Sequence, residues 1–105
     1  MDIKTSLAKE LKKRCTTLKI GEDERFSAAS LANAFQITRN TASQYLNELV
    51  KKGNVVKINS RPVYFFHRQV LEEKLDTTLE NSVYESMEDL MRTTKRDFEK
   101  MIGYN

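Results

Sequence analysis

The stretch FSAASLANAFQITRNTASQYLNELVKKG, from Phe26 to Gly53, decides the fold of this 105-residue chain. Ser27 is placed to cap a helix, because its hydroxyl can accept from the free amides of a first helical turn. Phe26 before it and Leu31 after it occupy the two positions of a hydrophobic staple. Ala28, Leu31, Ala32 and Phe35 then recur at helical spacing and predict a helix of about two turns. Gln36-Ile37-Thr38 is a short connection whose last residue is a second cap, followed by a longer helix from Arg39 to Lys52. Ala42, Tyr45, Leu46, Leu49 and Val50 form its apolar face. Gly53 stops it, and Lys51 and Lys52 lie at the negative end of its dipole. Two helices joined by so tight a turn, the second capped and longer, form the helix-turn-helix unit that offers a recognition helix to the DNA major groove.

On the N-terminal side, Ile3, Leu7, Leu11, Cys15 and Leu18 make one stripe of an amphipathic helix between Asp2 and Leu18, with Lys9, Lys12 and Lys13 on its wet side. Gly21 can end that helix or the following loop, and Glu22, Asp23 and Glu24 read as a solvated connector. On the C-terminal side the period changes. Val55, Val56 and Ile58 are β-branched, Asn59-Ser60-Arg61-Pro62 supplies turn residues, and Val63 to Phe66 are β-branched or aromatic, which predicts a two-stranded hairpin. Pro62, lacking an amide donor, fits the start of the returning strand. A short helix is expected from about Gln69 to Leu75, and Leu79, Val83, Met87, Leu90, Met91, Phe98 and Ile102 predict one longer amphipathic helix, with an interruption near Thr93 and Thr94.

The expected architecture is therefore mainly α, a winged helix-turn-helix: a three-helix bundle plus a two-stranded β-hairpin wing, then a C-terminal linker helix. The division falls at 1–76 for the winged domain and 77–105 for the helical linker. Composition agrees, since 39% hydrophobic and 31% charged residues with three glycines and one proline favour a helical globular protein over disorder or a β-sandwich. Cys15 is the only cysteine, so no intrachain disulfide can form. With no signal-peptide pattern and no apolar run approaching the roughly 18 residues of a membrane span, a cytoplasmic chain without a membrane partner is expected.

The net charge of +3 is mild, and its distribution says more. From Gln36 to Arg68 six cations stand against Glu48 alone, whereas Gln69 to Asn105 holds nine acids and five bases. At about 100° per residue, Asn40, Ser43, Gln44, Asn47 and Lys51 lie opposite Ala42, Leu46 and Leu49. Asn and Gln can pair bidentately with adenine, Ser and Thr can reach base or phosphate, and Arg can grip guanine. Arg39, Asn40 and Thr41 stand in the first turn, where free backbone amides also favour a phosphate. Asn40, Ser43, Gln44 and Asn47 are the candidate base readers, and Lys51, Lys57 and Arg61 the candidate phosphate contacts.

Other residues read more simply. Cys15 lies on an apolar stripe as a small core residue. His67, the only histidine, has no second ligand at metal spacing, so no metal or cofactor is expected. Tyr64, Phe65 and Phe66 fit hairpin packing better than a base-stacking platform. With no phosphate-binding glycine loop and no nucleophile motif, the expectation is that the chain is not an enzyme. The competing reading of the same residues is a winged-helix protein-interaction module whose basic face meets an acidic partner.

Phe26 to Phe66, and above all TRNTASQYLNELVKKG followed by VVKINSRPVYF, resembles the N-terminal winged-helix domain of bacterial sigma-54-dependent activators of the LevR type, which regulate sugar phosphotransferase operons. DFEKMIGYN, Asp97 to Asn105, is similar to the segment leading into their AAA+ ATPase domain. The resemblance implies sequence-specific double-stranded DNA binding in transcription regulation, carried by Arg39, Asn40, Thr41, Ser43, Gln44 and Asn47, with Arg61 in the wing. It also implies that sigma-54 RNA polymerase and ATP are engaged only through domains outside this segment. Those regulators work as oligomers, and pairing of two copies through the expected 79–102 helix is weighed against packing of that helix on the ATPase domain.

Overall fold

Leu7, Leu11 and Cys15 are fully buried and form the inner face of helix α1, Ile3–Thr16, whereas Ile3, read on the same stripe, is exposed. The computed structural model describes residues 2–17 and 23–92. Leu18 and Gly21, expected at the end of this helix and its loop, and everything from Thr93 to Asn105 lie outside the described residues. A turn of 3-10 helix, Asp23–Phe26, leads into α2, Ala28–Phe35, and α3, Arg39–Lys51. Both caps form: the Ser27 hydroxyl accepts from the Ser30 amide at 3.2 Å and the Thr38 hydroxyl from the Thr41 amide at 3.1 Å. The staple residues Phe26 and Leu31 are both fully buried. Between the helices Gln36 takes a left-handed conformation, φ 54°, which closes α2 and lets the chain turn within the short connection.

Gly53, at φ +84°, ends α3 and turns the chain into β1, Val55–Ile58. β1 pairs antiparallel with β2, Tyr64–His67, in the register Val55↔His67 and Lys57↔Phe65, which is the expected wing. On the far side of β2, Ser27 bridges to Tyr64, tying the start of α2 to the hairpin. Phe26 and Phe66 pack as tilted rings with centroids 4.7 Å apart, and with Leu7, Leu11, Leu31, Leu46, Val56 and Ile58 they belong to one continuous core. Fully burying a Leu, Ile or Phe side chain contributes about 1.5–3 kcal/mol, so this shared core is what fixes α3 against the wing.

β2 runs directly into α4, Arg68–Leu75, whose cap is the imidazole of His67, with Nδ1 accepting from the Val70 amide at 3.5 Å. Burial, and secondarily the Lys12 charge, lower the His67 pKa from its ordinary 6.5. A base whose folded pKa is depressed stabilises the fold fully above the unfolded value, and that contribution falls as pH drops below about 6.5 and the unfolded chain takes the proton first. Thermal melts are expected to show a Tm that declines below this pH in the wild type. In His67→Asn, which keeps a capping acceptor that does not titrate, the part of that decline lying above the carboxylate range, roughly pH 5 to 6.5, should be absent.

The segment after α4 departs from expectation. Leu79 to Ser86 is not helical: Val83–Tyr84 forms a third strand, β3, parallel to the outer edge of β1, giving the order β2-β1-β3. The Lys57 amide donates to the Ser82 carbonyl and the Asn59 amide to the Tyr84 carbonyl, both at 2.7 Å. Helix resumes only at 87–92, where the Ser86 hydroxyl accepts from the Asp89 amide at 3.1 Å. The physical reason lies in α4. Glu72 accepts from the Leu79 amide at 2.7 Å, and Arg68 donates to the Leu79 carbonyl and, at 3.0 Å, to the Ser82 hydroxyl. These side chains occupy the backbone groups a helix would have paired. The apolar residues expected on one helical face accordingly split, Leu79 and Leu90 being buried while Val83 and Met91 are exposed. A pairing helix beginning at Leu79 is thereby corrected.

Candidate nucleic-acid interface

The α3 helix is held by Ala42, Leu46, Leu49 and Val50, all buried, so its opposite face is turned outward by packing rather than by polarity alone. Arg39, Asn40, Gln44 and Lys51 are exposed on it, while Thr41, Ser43 and Asn47 are half-buried. The Thr41 hydroxyl accepts from that of Thr38 at 2.8 Å and so belongs to the cap. Glu48, the one carboxylate of α3, is taken up by Lys4 of α1 at 2.7 Å. That hydrogen bond holds the Glu48 carboxyl below its usual range and raises the Lys4 pKa. The outward face therefore offers amides, hydroxyls and cations, and its only negative charge has a partner.

The wing stands beside this face. Arg61 and Pro62 are exposed at its turn, where the Ser60 hydroxyl donates to the Pro62 carbonyl at 3.0 Å. Lys57 reaches back across: its Nζ donates to Asn47 Oδ1 at 3.1 Å and lies 6.0 Å from the centre of the Phe65 ring. Between α3, the wing and the start of α2 is a cleft of about 300 Å³, lined by Arg39, Ser43 and Asn47 of α3, by Lys57, Pro62, Val63 and Phe65 of the wing, and by Ser27, Ala28, Ala29 and the exposed Glu24. The structure thus brings together Arg39, Ser43, Asn47 and Lys57, with Asn40, Gln44, Lys51 and Arg61 exposed on the same two elements. Arg68, counted above among the cations of the basic stretch, is not with them, since its guanidinium is directed to Glu72, Leu79 and Ser82.

Elsewhere the chemistry is quiet. Cys15 is fully buried and accepts from the His67 amide at 3.1 Å, and burial pushes its thiol pKa up to about 11, which suppresses the thiolate. Among the described residues no group of three His, Cys, Asp or Glu side chains could hold a metal ion, and no helix is long and apolar enough to cross a membrane.

No family model and no solved structure matches this sequence. Among curated proteins, the transcriptional regulatory protein DagR of Salmonella typhimurium (strain 14028s / SGSC 2262) is 33% identical over 93 residues, an alignment that takes in 82% of this chain. The chain spans about a tenth of the length of that relative, 10%. A winged-helix frame, an α3 face free of unpaired carboxylates and a basic wing thus occur in a chain similar, over most of its own length, to a short part of a transcriptional regulatory protein.

Proposed function

We propose that this chain is a sequence-specific double-stranded DNA-binding domain of a transcriptional regulator, with α3 in the major groove and the wing on the adjacent backbone. The observation that carries the reading is the outward face of α3: Arg39, Asn40 and Gln44 exposed, Glu48 neutralised by Lys4, and Arg61 projecting from the neighbouring turn. Asn40, Ser43, Gln44 and Asn47 read base edges in this reading, while Arg39, Thr41, Lys51 and Arg61 meet the backbone. Similarity to DagR supports the regulatory role. The likeness to LevR-type activators extends it to control of sugar-uptake operons by an oligomer, whose other segments engage sigma-54 RNA polymerase and ATP. The winged domain then comprises residues 1–76 with the β3 segment folded onto its sheet, and the chain beyond connects it to the rest.

Mobility shifts on genomic fragments at several salt concentrations test this. Binding is expected to weaken steeply with salt while keeping a preference for certain fragments, because counterion release scales with phosphate contacts. Lys51→Ala or Arg61→Ala should each reduce the salt slope by about one and weaken all fragments alike, whereas Asn47→Ala should mainly relax the preference. Binding that is indifferent to salt, or to fragment sequence, would reject the reading in favour of a protein-docking module.

A further inference from the structure

Lys57 is the residue whose environment asks most of the proposed interface, and the inference drawn from it rests on that reading. Its backbone is fixed from both sides: it pairs with Phe65 in β2, and its amide donates to the Ser82 carbonyl of the β3 edge at 2.7 Å. Its side chain passes over the Phe65 ring to the carboxamide of Asn47, 3.1 Å from Oδ1. An ammonium group has three donors and no acceptor, so of the two ends of the Asn47 amide only the oxygen can face it. Asn47 is thereby fixed in one of its two flip states, with Nδ2 at the other end.

We propose that Lys57 is a positioning residue that makes Asn47 a reader of guanine rather than of adenine. The bidentate pairing of an asparagine with adenine needs the amide oxygen to accept from N6 while Nδ2 donates to N7. Here one of the oxygen's two lone pairs is taken by a cation, and it is the positive charge beside the other that disfavours an approaching amino group. What the pair offers is donors, from Nδ2 and from the remaining N–H groups of Lys57, and the base edge with two acceptors in the major groove is guanine, through O6 and N7. Ser43, which lines the same cleft, adds a hydroxyl that can serve as either partner.

The test is selection of bound duplexes from a random pool by the wild-type chain, Asn47→Ala, Lys57→Met and Lys57→Arg. Wild type should enrich a motif containing a guanine whose preference Asn47→Ala reduces on the order of tenfold. Lys57→Met keeps the apolar stem over Phe65 but frees the amide to flip, so adenine should gain at that one position while the others stay unchanged. Lys57→Arg, also a pure donor, should restore guanine. The proposal is overturned if the position sensitive to Asn47 is already adenine in the wild type. It also fails if Lys57→Met weakens every sequence equally, which marks Lys57 as a plain phosphate contact. If Lys57→Met does not fold, as read by its circular dichroism, loss of guanine in Lys57→Arg overturns the proposal by itself. Failure of the wild type to enrich any motif instead sinks the DNA-reading function on which the proposal stands.

Discussion

Phe66→Ala is expected to lower stability by about 3–5 kcal/mol, the range for truncating a buried aromatic side chain. Phe66 is 2% exposed, its ring lies 4.7 Å from that of Phe26, and its strand packs against α1, the turn before α2 and β1. Alanine would remove the contact that holds those pieces together and leave a void that well-packed neighbours cannot close. Domains of this size are stable by about 5–15 kcal/mol in total, so the variant should be partly unfolded at physiological temperature. Urea titration followed by circular dichroism measures it, with Val83→Ala as control, since that side chain is 47% exposed and its loss should change stability by under about 0.5 kcal/mol. A Phe66→Ala midpoint close to the control's would contradict the packing described.

The double reversal Lys51→Glu/Arg61→Glu is expected to weaken DNA binding on the order of a hundredfold or more near 0.1 M salt. Each phosphate contact contributes a salt slope of about −0.9, so removing two contacts already costs nearly two decades relative to molar salt. The new carboxylates then repel the backbone and add to that loss. Both residues are exposed, one at the last turn of α3 and one at the wing turn, and neither contributes to the core. Thermal stability should therefore stay near that of the wild type, which separates loss of binding from loss of fold. Near-normal affinity in the double variant would mean that the duplex lies elsewhere on the surface.

The parts of this fold that are legible in the sequence are those fixed by local chemistry. Ser27 and Thr38 cap because a hydroxyl before an apolar-periodic run has few better uses, and Gly53 ends α3 because a left-handed residue is needed there. The exposure of Asn40 and Gln44 follows from the same periodicity that buries Leu46 and Leu49. What was not legible depends on residues distant in sequence. Leu79, Val83 and Met87 are spaced four apart, which is indistinguishable from a helical stripe until Arg68 and Glu72 are known to occupy the Leu79 backbone. Lys4 with Glu48 and Lys57 with Asn47 are likewise products of packing, since nothing in their spacing announces a partner. Charge counting credited Arg68 to the basic face for the same reason, although α4 turns it inward.

The placement of β3 has a mechanical meaning. A hairpin exposed along its outer strand presents unanswered amides and carbonyls that invite a foreign strand, a hazard for any two-stranded wing. Here Ser82 and Tyr84 satisfy those groups from within the same chain. With Arg68 stapling Leu79 and Ser82 to α4, the segment that carries β3 is tied to α4 on one side and to β1 on the other. The strand that carries Lys57 is thereby coupled, through two short backbone hydrogen bonds, to the segment that leaves α4.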